Sequence, residues 1–256
     1  MTFGEYFNAR SFTKMTADDL GWTTEAYFRS AGMDAVFYQQ FKENFHGFSR
    51  LVVPLPGAFN RLENNDELRI GGRSWRIVIG RGHSPEHACL YCESLSILIS
   101  GDQVIPRITS NVSVMANEPE GNPLLQWLES LQMLKGIPAD TLVLPAHNEP
   151  FTGLHQRLQY LIEHHEDHLL ALEEACIEAK TAFELLPVLF ARELDRSQIT
   201  MALGECVAHL NYLYRQGRLR RLDDEQGVSR FLSIDPTLNE RARPGQHHRD
   251  SGPLQV

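Results

Sequence analysis

Gly82-His83-Ser84-Pro85-Glu86-His87 follows directly on an apolar run, residues 74–79, that reads as a strand. A strand ending in a glycine-flanked histidine presents an imidazole at the edge of a sheet, where loops build sites on a rigid support. The same device recurs downstream. Ser100-Gly101-Asp102 closes a second apolar strand on a carboxylate, and Leu142-Val143-Leu144-Pro145-Ala146-His147 closes a third on another imidazole. Three strand ends thus deliver His, Asp and His, a donor set suited to a divalent metal that accepts mixed nitrogen and oxygen ligands.

Working outward, residues 67–70, Gly71-Gly72 and 74–79 read as a hairpin, followed by short strands at 88–92 and 96–100. A helix is expected over 123–135, with Asn122 as N-cap and Pro123 in its first turn, and another short strand over 141–144. Upstream, residues 16–47 read as helical, opened by a capping-box-like Thr16-Ala17-Asp18-Asp19 and interrupted near Gly32. Downstream, Leu154, Leu158, Leu161, Ile162, His165, Leu169, Leu172 and Cys176 fall at helical spacing and predict one long amphipathic helix. Helices are then expected around 182–193, 197–202 and 205–216. A two-stranded hairpin over 218–222 and 229–234 would follow, an order that looks like a winged helix. From Pro236 the composition predicts disorder.

The chain has 256 residues, of which 42% are hydrophobic and 22% charged, so it can bury an ordinary globular core. Its net charge of −9 argues against a protein that coats nucleic acid or an anionic membrane with its whole surface. No apolar run is long enough to span a bilayer and no secretory signal is visible. Four scattered cysteines do not make a disulfide scaffold, so a reduced, cytoplasmic setting is expected.

Together GHSPEH, SGD and LPAH, with the preceding DELRIGG…RIVIG hairpin, resemble the metallo-β-lactamase-fold hydrolases over about residues 62–150. The resemblance implies that His83 and His147 are metal ligands and that Asp102 is the carboxylate that bridges two metals and orients the nucleophile. It places His87 beside the site without binding metal. It also implies a hydrolase holding one or two zinc ions, or other divalent metals. Zinc would lower the pKa of bound water to about 7, for attack on an ester, thioester, lactam or phosphodiester of a small-molecule substrate.

The family's His-x-His-x-Asp-His motif has no counterpart, for none of the eleven histidines is separated from another by a single residue and only His46 precedes His83. The expected fold class is therefore α/β: an incomplete, N-terminally truncated αββα sandwich over residues 1–152. A linking helix over 153–180, a winged-helix-like module over 181–235 and a disordered tail over 236–256 complete the expected order. Truncation predicts weak or absent activity, and an exposed sheet edge open to self-association. The alternative is a non-catalytic remnant that binds nucleic acid or protein through its winged helix, using the basic patch Arg215, Arg218, Arg220 and Arg221.

Two other patterns carry less. Glu163-His164-His165-Glu166-Asp167-His168 imitates the missing motif, but inside a helix, where residues two apart point in different directions; a solvated helix face is expected. Cys89 and Cys92 have redox or zinc spacing but lie on a strand, where positions three apart face opposite sides, and no second pair completes a zinc site.

Overall fold

A computed structural model describes residues 1–45, 47, 52 and 54–235, apart from the side chains of residues 196 and 197. The expected hairpin is present as β1 (Glu67–Ile70) and β2 (Arg73–Gly80). Gly71 and Gly72 both take positive φ, at 59° and 78°, as the tight hairpin turn that matches strand twist requires. Next come β3 (His87–Cys92), β4 (Ile97–Gly101) and β5 (Leu142–Pro145), giving a sheet of order β1-β2-β3-β4-β5. β2/β3 and β3/β4 are antiparallel while β4/β5 is parallel. The C-terminal ends of β2, β4 and β5 therefore share one edge of the sheet.

One face of the sheet carries Val78, Cys89, Tyr91, Leu98 and Val143 into the apolar core. Sharing that core are Leu124, Trp127 and Leu131 of α4 (Pro123–Leu134), and Leu154, Leu158 and Leu161 of α5 (Leu154–Ala175). The helix α4 begins where the sequence indicates: the Leu125 amide donates to Asn122 Oδ1 at 3.4 Å. The opposite face is also apolar. Leu90, Ile99 and Leu144 stand side by side on it, with Ile99 38% exposed. Among the described residues there is this five-stranded sheet and one two-stranded sheet; a second large sheet of a sandwich is not among them.

The N-terminal helices differ from expectation. α1 (Phe3–Lys14) lies ahead of the region read as helical. The Thr16 amide and hydroxyl do bond the Asp19 carboxylate, but they open only a single 3-10 turn. α2 (Trp22–Ser30) and α3 (Ala35–Glu43) then flank a break at Gly32, whose φ is +89° and where a Cβ would lie 2.5 Å from Thr181. His46 lies outside the described residues, as does the tail from residue 236.

The C-terminal part contains α6 (Leu186–Leu189), much shorter than the expected 182–193, and α7 (Arg196–Arg215). α7 is one continuous helix rather than two. Gly204 does not break it, because the glycine serves close packing: an added Cβ would meet the Val114 carbonyl oxygen and Ser113 at 2.9 Å. The hairpin β6 (Leu219–Asp223) and β7 (Ser229–Ser233) follows as expected. It is tied to the end of α5 through the Ser233 amide, which donates to the Cys176 carbonyl at 2.7 Å, and to the next segment by the Lys180–Phe231 bridge. No helix among the described residues is long and apolar enough to cross a membrane.

Candidate metal centre

At the shared sheet edge, His83 follows β2, Asp102 follows β4 and His147 follows β5. Asp102 is the middle member. Its Oδ2 lies 3.9 Å from His83 Nε2 and its Oδ1 lies 3.3 Å from His147 Nε2. Each imidazole thus turns its outer nitrogen toward a different oxygen of one carboxylate. His83 and Asp102 are part-buried, and His147 is open to solvent.

Local geometry explains how the strand ends hold this arrangement. The Ala146 amide donates to the Gly101 carbonyl at 3.0 Å, pinning the end of β5 to the end of β4. The Ser110 hydroxyl donates to the Asp102 carbonyl, and the Ser100 hydroxyl donates to the Val104 carbonyl at 2.7 Å. Gly101 has φ +55°, and a Cβ there would stand 2.2 Å from His87 Nε2, so only glycine admits the His87 ring beneath the turn. Gly82, with φ +105°, is likewise pressed against Trp127 of α4. His87 is close to the site but points at the Gly101 turn; its ring centroid is 6.3 Å from that of His83. Burial first, and then the neighbouring His83, push its pKa down, so it stays neutral.

His83 Nδ1 lies 2.9 Å from the Asn111 carbonyl oxygen. A carbonyl only accepts, so Nδ1 carries the proton and Nε2 keeps its lone pair facing Asp102. Such an outer hydrogen bond fixes the tautomer a metal ligand needs. Asn111 is itself held by α7: its Nδ2 donates to Glu205 Oε2 at 2.9 Å. On the other side, buried Arg157 of α5 donates from Nε to the Ile105 carbonyl and from a terminal nitrogen to the Ile108 carbonyl, both at 2.7 Å, bracing the loop after Asp102. Asn111, Arg157 and Glu205 belong to none of the motifs that mark the site in the sequence. A lone arginine on the apolar stripe of α5, one position before Leu158, was the one signal available.

One expectation is overturned. His165 is fully buried and His164 and His168 are half-buried, so the EHHEDH segment is not a solvated face; only Glu163, Glu166 and Asp167 point outward. His165 belongs to the apolar stripe that defined the helix, and α7 packs on it. In the basic patch, Arg215, Arg218 and Arg221 have partners within the chain. Arg215 donates to the Glu120 carbonyl, Arg218 pairs with the buried Glu173 carboxylate, and Arg221 pairs with Glu120 at 2.7 Å while lying over the Tyr214 ring. Arg220 is exposed. Cys89 and Cys92 are buried free thiols; Cys89 donates to the Ser100 carbonyl at 3.4 Å, and burial pushes its pKa up to about 12, so it is no ready nucleophile.

Comparison with known proteins adds a family framework. A family model described as "Metallo-beta-lactamase superfamily" matches residues 15–147, and one described as "Metallo-beta-lactamase-like, C-terminal domain" matches residues 169–234. The crystal structure of a beta-lactamase domain protein from Burkholderia ambifaria is 40% identical, with a TM-score of 0.82; the match covers 91% of this chain and 65% of that one. A metallo-beta-lactamase family protein from Thermus thermophilus is 28% identical, with a TM-score of 0.65, covering 85% of this chain and 66% of that one. The probable metallo-hydrolase YqjP of Bacillus subtilis (strain 168) is 25% identical over 150 residues, 56% of this chain and 46% of that protein. A hydroxyacylglutathione hydrolase of Methylococcus capsulatus is 28% identical over 109 residues, 43% of this chain and 39% of that protein. The chain thus spans half or less of the length of these two curated relatives.

Proposed function

We propose, for a chain that belongs to the metallo-beta-lactamase superfamily, that it is a metal-dependent hydrolase of small-molecule esters, thioesters or phosphodiesters, with His83, Asp102 and His147 as its metal ligands. The observation that carries this reading is the convergence of two imidazole Nε2 atoms on opposite oxygens of the Asp102 carboxylate. A borderline nitrogen and oxygen donor set of this kind suits zinc, and the Asn111 carbonyl already holds His83 in the ligating tautomer. Zinc, when bound, supplies Lewis acidity, acidifying water and polarising the electrophile's oxygen.

The chain's own residues do the positioning. Asp102 sits between the two imidazoles, so one carboxylate serves both halves of the site. Ser110 and the Gly101 turn fix its backbone, and Arg157 fixes the loop beyond it. His147 is the member of the three most open to solvent. If two ions shared these three side chains, each would have two protein donors, fewer than the three usual at a catalytic zinc. We therefore expect weak metal retention and slow turnover by this chain alone. Four buried thiols support a reduced, cytoplasmic setting. The half-exposed apolar row Leu90, Ile99 and Leu144 supports contact with a second copy of the chain. The rival reading, a nucleic-acid or protein module built on the C-terminal arginines, is less well supported because Arg215, Arg218 and Arg221 already have acidic or carbonyl partners.

The test is hydrolysis of 4-nitrophenyl acetate, an acyl thioester and bis(4-nitrophenyl) phosphate by the zinc-loaded chain and by Asp102→Asn. Loss of the bridging charge should lower any turnover by about tenfold or more, with the far-UV circular dichroism spectrum unchanged. Equal rates in the two chains would remove Asp102 from the reaction and the proposal with it.

A further inference from the structure

A second cluster of histidines lies where α5 packs on α7. One ring nitrogen from each of His165, His168 and His209 lies within 4.8 Å of the other two. His165 and His209 are completely buried, and His165 Nδ1 stands 3.0 Å from His209 Nε2. His209 Nδ1 lies 2.8 Å from the Glu205 carbonyl oxygen, one turn back along α7. That acceptor requires the proton on Nδ1, so His209 Nε2 presents a lone pair to the cluster. His165 can satisfy this lone pair only by placing its own proton on Nδ1, which strips Nε2 of hydrogen. His165 Nε2 and His168 Nδ1 are both buried with no hydrogen-bond partner among the described residues. His164 adds a fourth ring, its centroid 4.1 Å from that of His168.

Buried polar atoms are nearly always paired, and unpaired ones call for a ligand, an ion or water. The chemistry here selects among these. Burial pushes the pKa of His168 down to about 3, that of His209 to about 4 and that of His165 well below its usual range, with neighbouring imidazoles adding to the effect. The rings are therefore neutral, the state in which one nitrogen of each ring has a lone pair available to a metal. Three imidazoles suit zinc, and also cobalt, nickel or copper; they offer nothing to calcium or magnesium, which take oxygen ligands.

We infer that His165, His168 and His209 form a metal site of their own, distinct in its residues from His83, Asp102 and His147, which binds one divalent transition ion and ties α5 to α7. The inference stands whether or not the hydrolase reading does. The neutral rings need lose no proton on binding, and only His165 must exchange one tautomer for the other if it ligates through Nδ1.

The test removes the first site and reads the second. Asp102→Asn with His147→Gln changes side chains outside the apolar core. This double variant is stripped with chelator, given zinc, desalted and measured by elemental mass spectrometry. About one zinc per chain is expected, together with a rise in Tm on zinc addition. Adding His168→Gln, chosen because His168 is only half-buried, should abolish both the retained zinc and the Tm rise while the metal-free Tm stays close. X-ray absorption at the zinc edge of the double variant needs no substitution in the cluster and guards against misfolding of that triple variant. Three imidazole nitrogens in the first shell are expected. A double variant that retains no zinc, retention unaffected by His168→Gln, or a first shell of oxygens would each overturn the site.

Discussion

Glu205 is a carboxyl that α7 buries beside the candidate metal centre, with the Asn111 amide as a hydrogen-bond donor. Burial pushes its pKa from 4.5 up to about 7, against the opposing pull of Asn111. The sign of the consequence follows from linkage. Between pH 4.5 and 7 the folded chain keeps a proton that the unfolded chain releases, so this group's contribution to stability falls as pH rises and is flat above about 7. A shift of this size corresponds to something on the order of 3 kcal/mol. The buried histidines work in the other direction, because their unfolded forms take up protons below about 6.5. The useful measurement is therefore a difference, made on chelator-treated chains. Glu205→Gln should gain on the unsubstituted chain in urea-unfolding free energy as pH rises from 4.5 to 7.5. Parallel pH profiles for the two chains would show that the carboxyl is not buried as described. Asp102 and its two histidines were legible from sequence because each closes a strand in the same local grammar. Asn111, Arg157 and Glu205 were not, since each reaches the site from a segment whose position only the packed fold determines.

At the level of elements, α7 shows how a glycine can mislead. Gly204 looks like a helix break, yet it lies inside one continuous helix and lets the backbone of residues 113–114 approach. The Val114 amide donates to the Gly204 carbonyl at 3.0 Å, so this approach also fastens the segment that carries Asn111. Gly204→Ala gains up to about 1 kcal/mol in helix propensity. It must also displace a carbonyl oxygen and a serine side chain that a Cβ would meet at 2.9 Å, and overpacking of this kind costs about 1–3 kcal/mol. The expected net effect is a lower urea midpoint with an unchanged m-value. A raised midpoint would mean that residues 113–114 move aside freely. α5 was readable because its apolar residues keep helical spacing over 22 residues, with His165 on the same stripe. α1 was not, because only Tyr6 of that helix is buried. Distant partners hold it instead: Thr2 Oγ donates to the Glu86 carbonyl, Tyr6 to the Pro56 carbonyl, and the Tyr6 ring stacks on Phe59 at 4.1 Å.

Across the whole molecule, one apolar core links parts that the sequence divides by composition. It runs from Tyr27 and Phe28 of α2 through Leu98 and Val143 of the sheet and Leu158 and Leu169 of α5 to Leu203 and Leu210 of α7 and Phe231 of β7. Hydrogen bonds cross the same divisions: the Phe183 amide donates to the Ala31 carbonyl at 2.9 Å, and the Asn211 side-chain Nδ2 donates to the Pro119 and Gly121 carbonyls. A hydrophobic cluster shared in this way should make residues 1–235 unfold as one unit. Leu210 gives the sharpest test, because it is fully buried in α7, in the C-terminal segment, while buried Trp127 reports from α4 beside the sheet. In a chain whose other tryptophans, Trp22 and Trp75, are replaced by phenylalanine, urea curves from Trp127 fluorescence and from far-UV circular dichroism should superimpose. Leu210→Ala should shift both together by about 2–5 kcal/mol. If Leu210→Ala moves the circular dichroism curve and leaves the Trp127 curve in place, the C-terminal segment melts by itself. The hold of α7 on Asn111, and through it on His83, would then be broken in the intermediate while the sheet stayed folded.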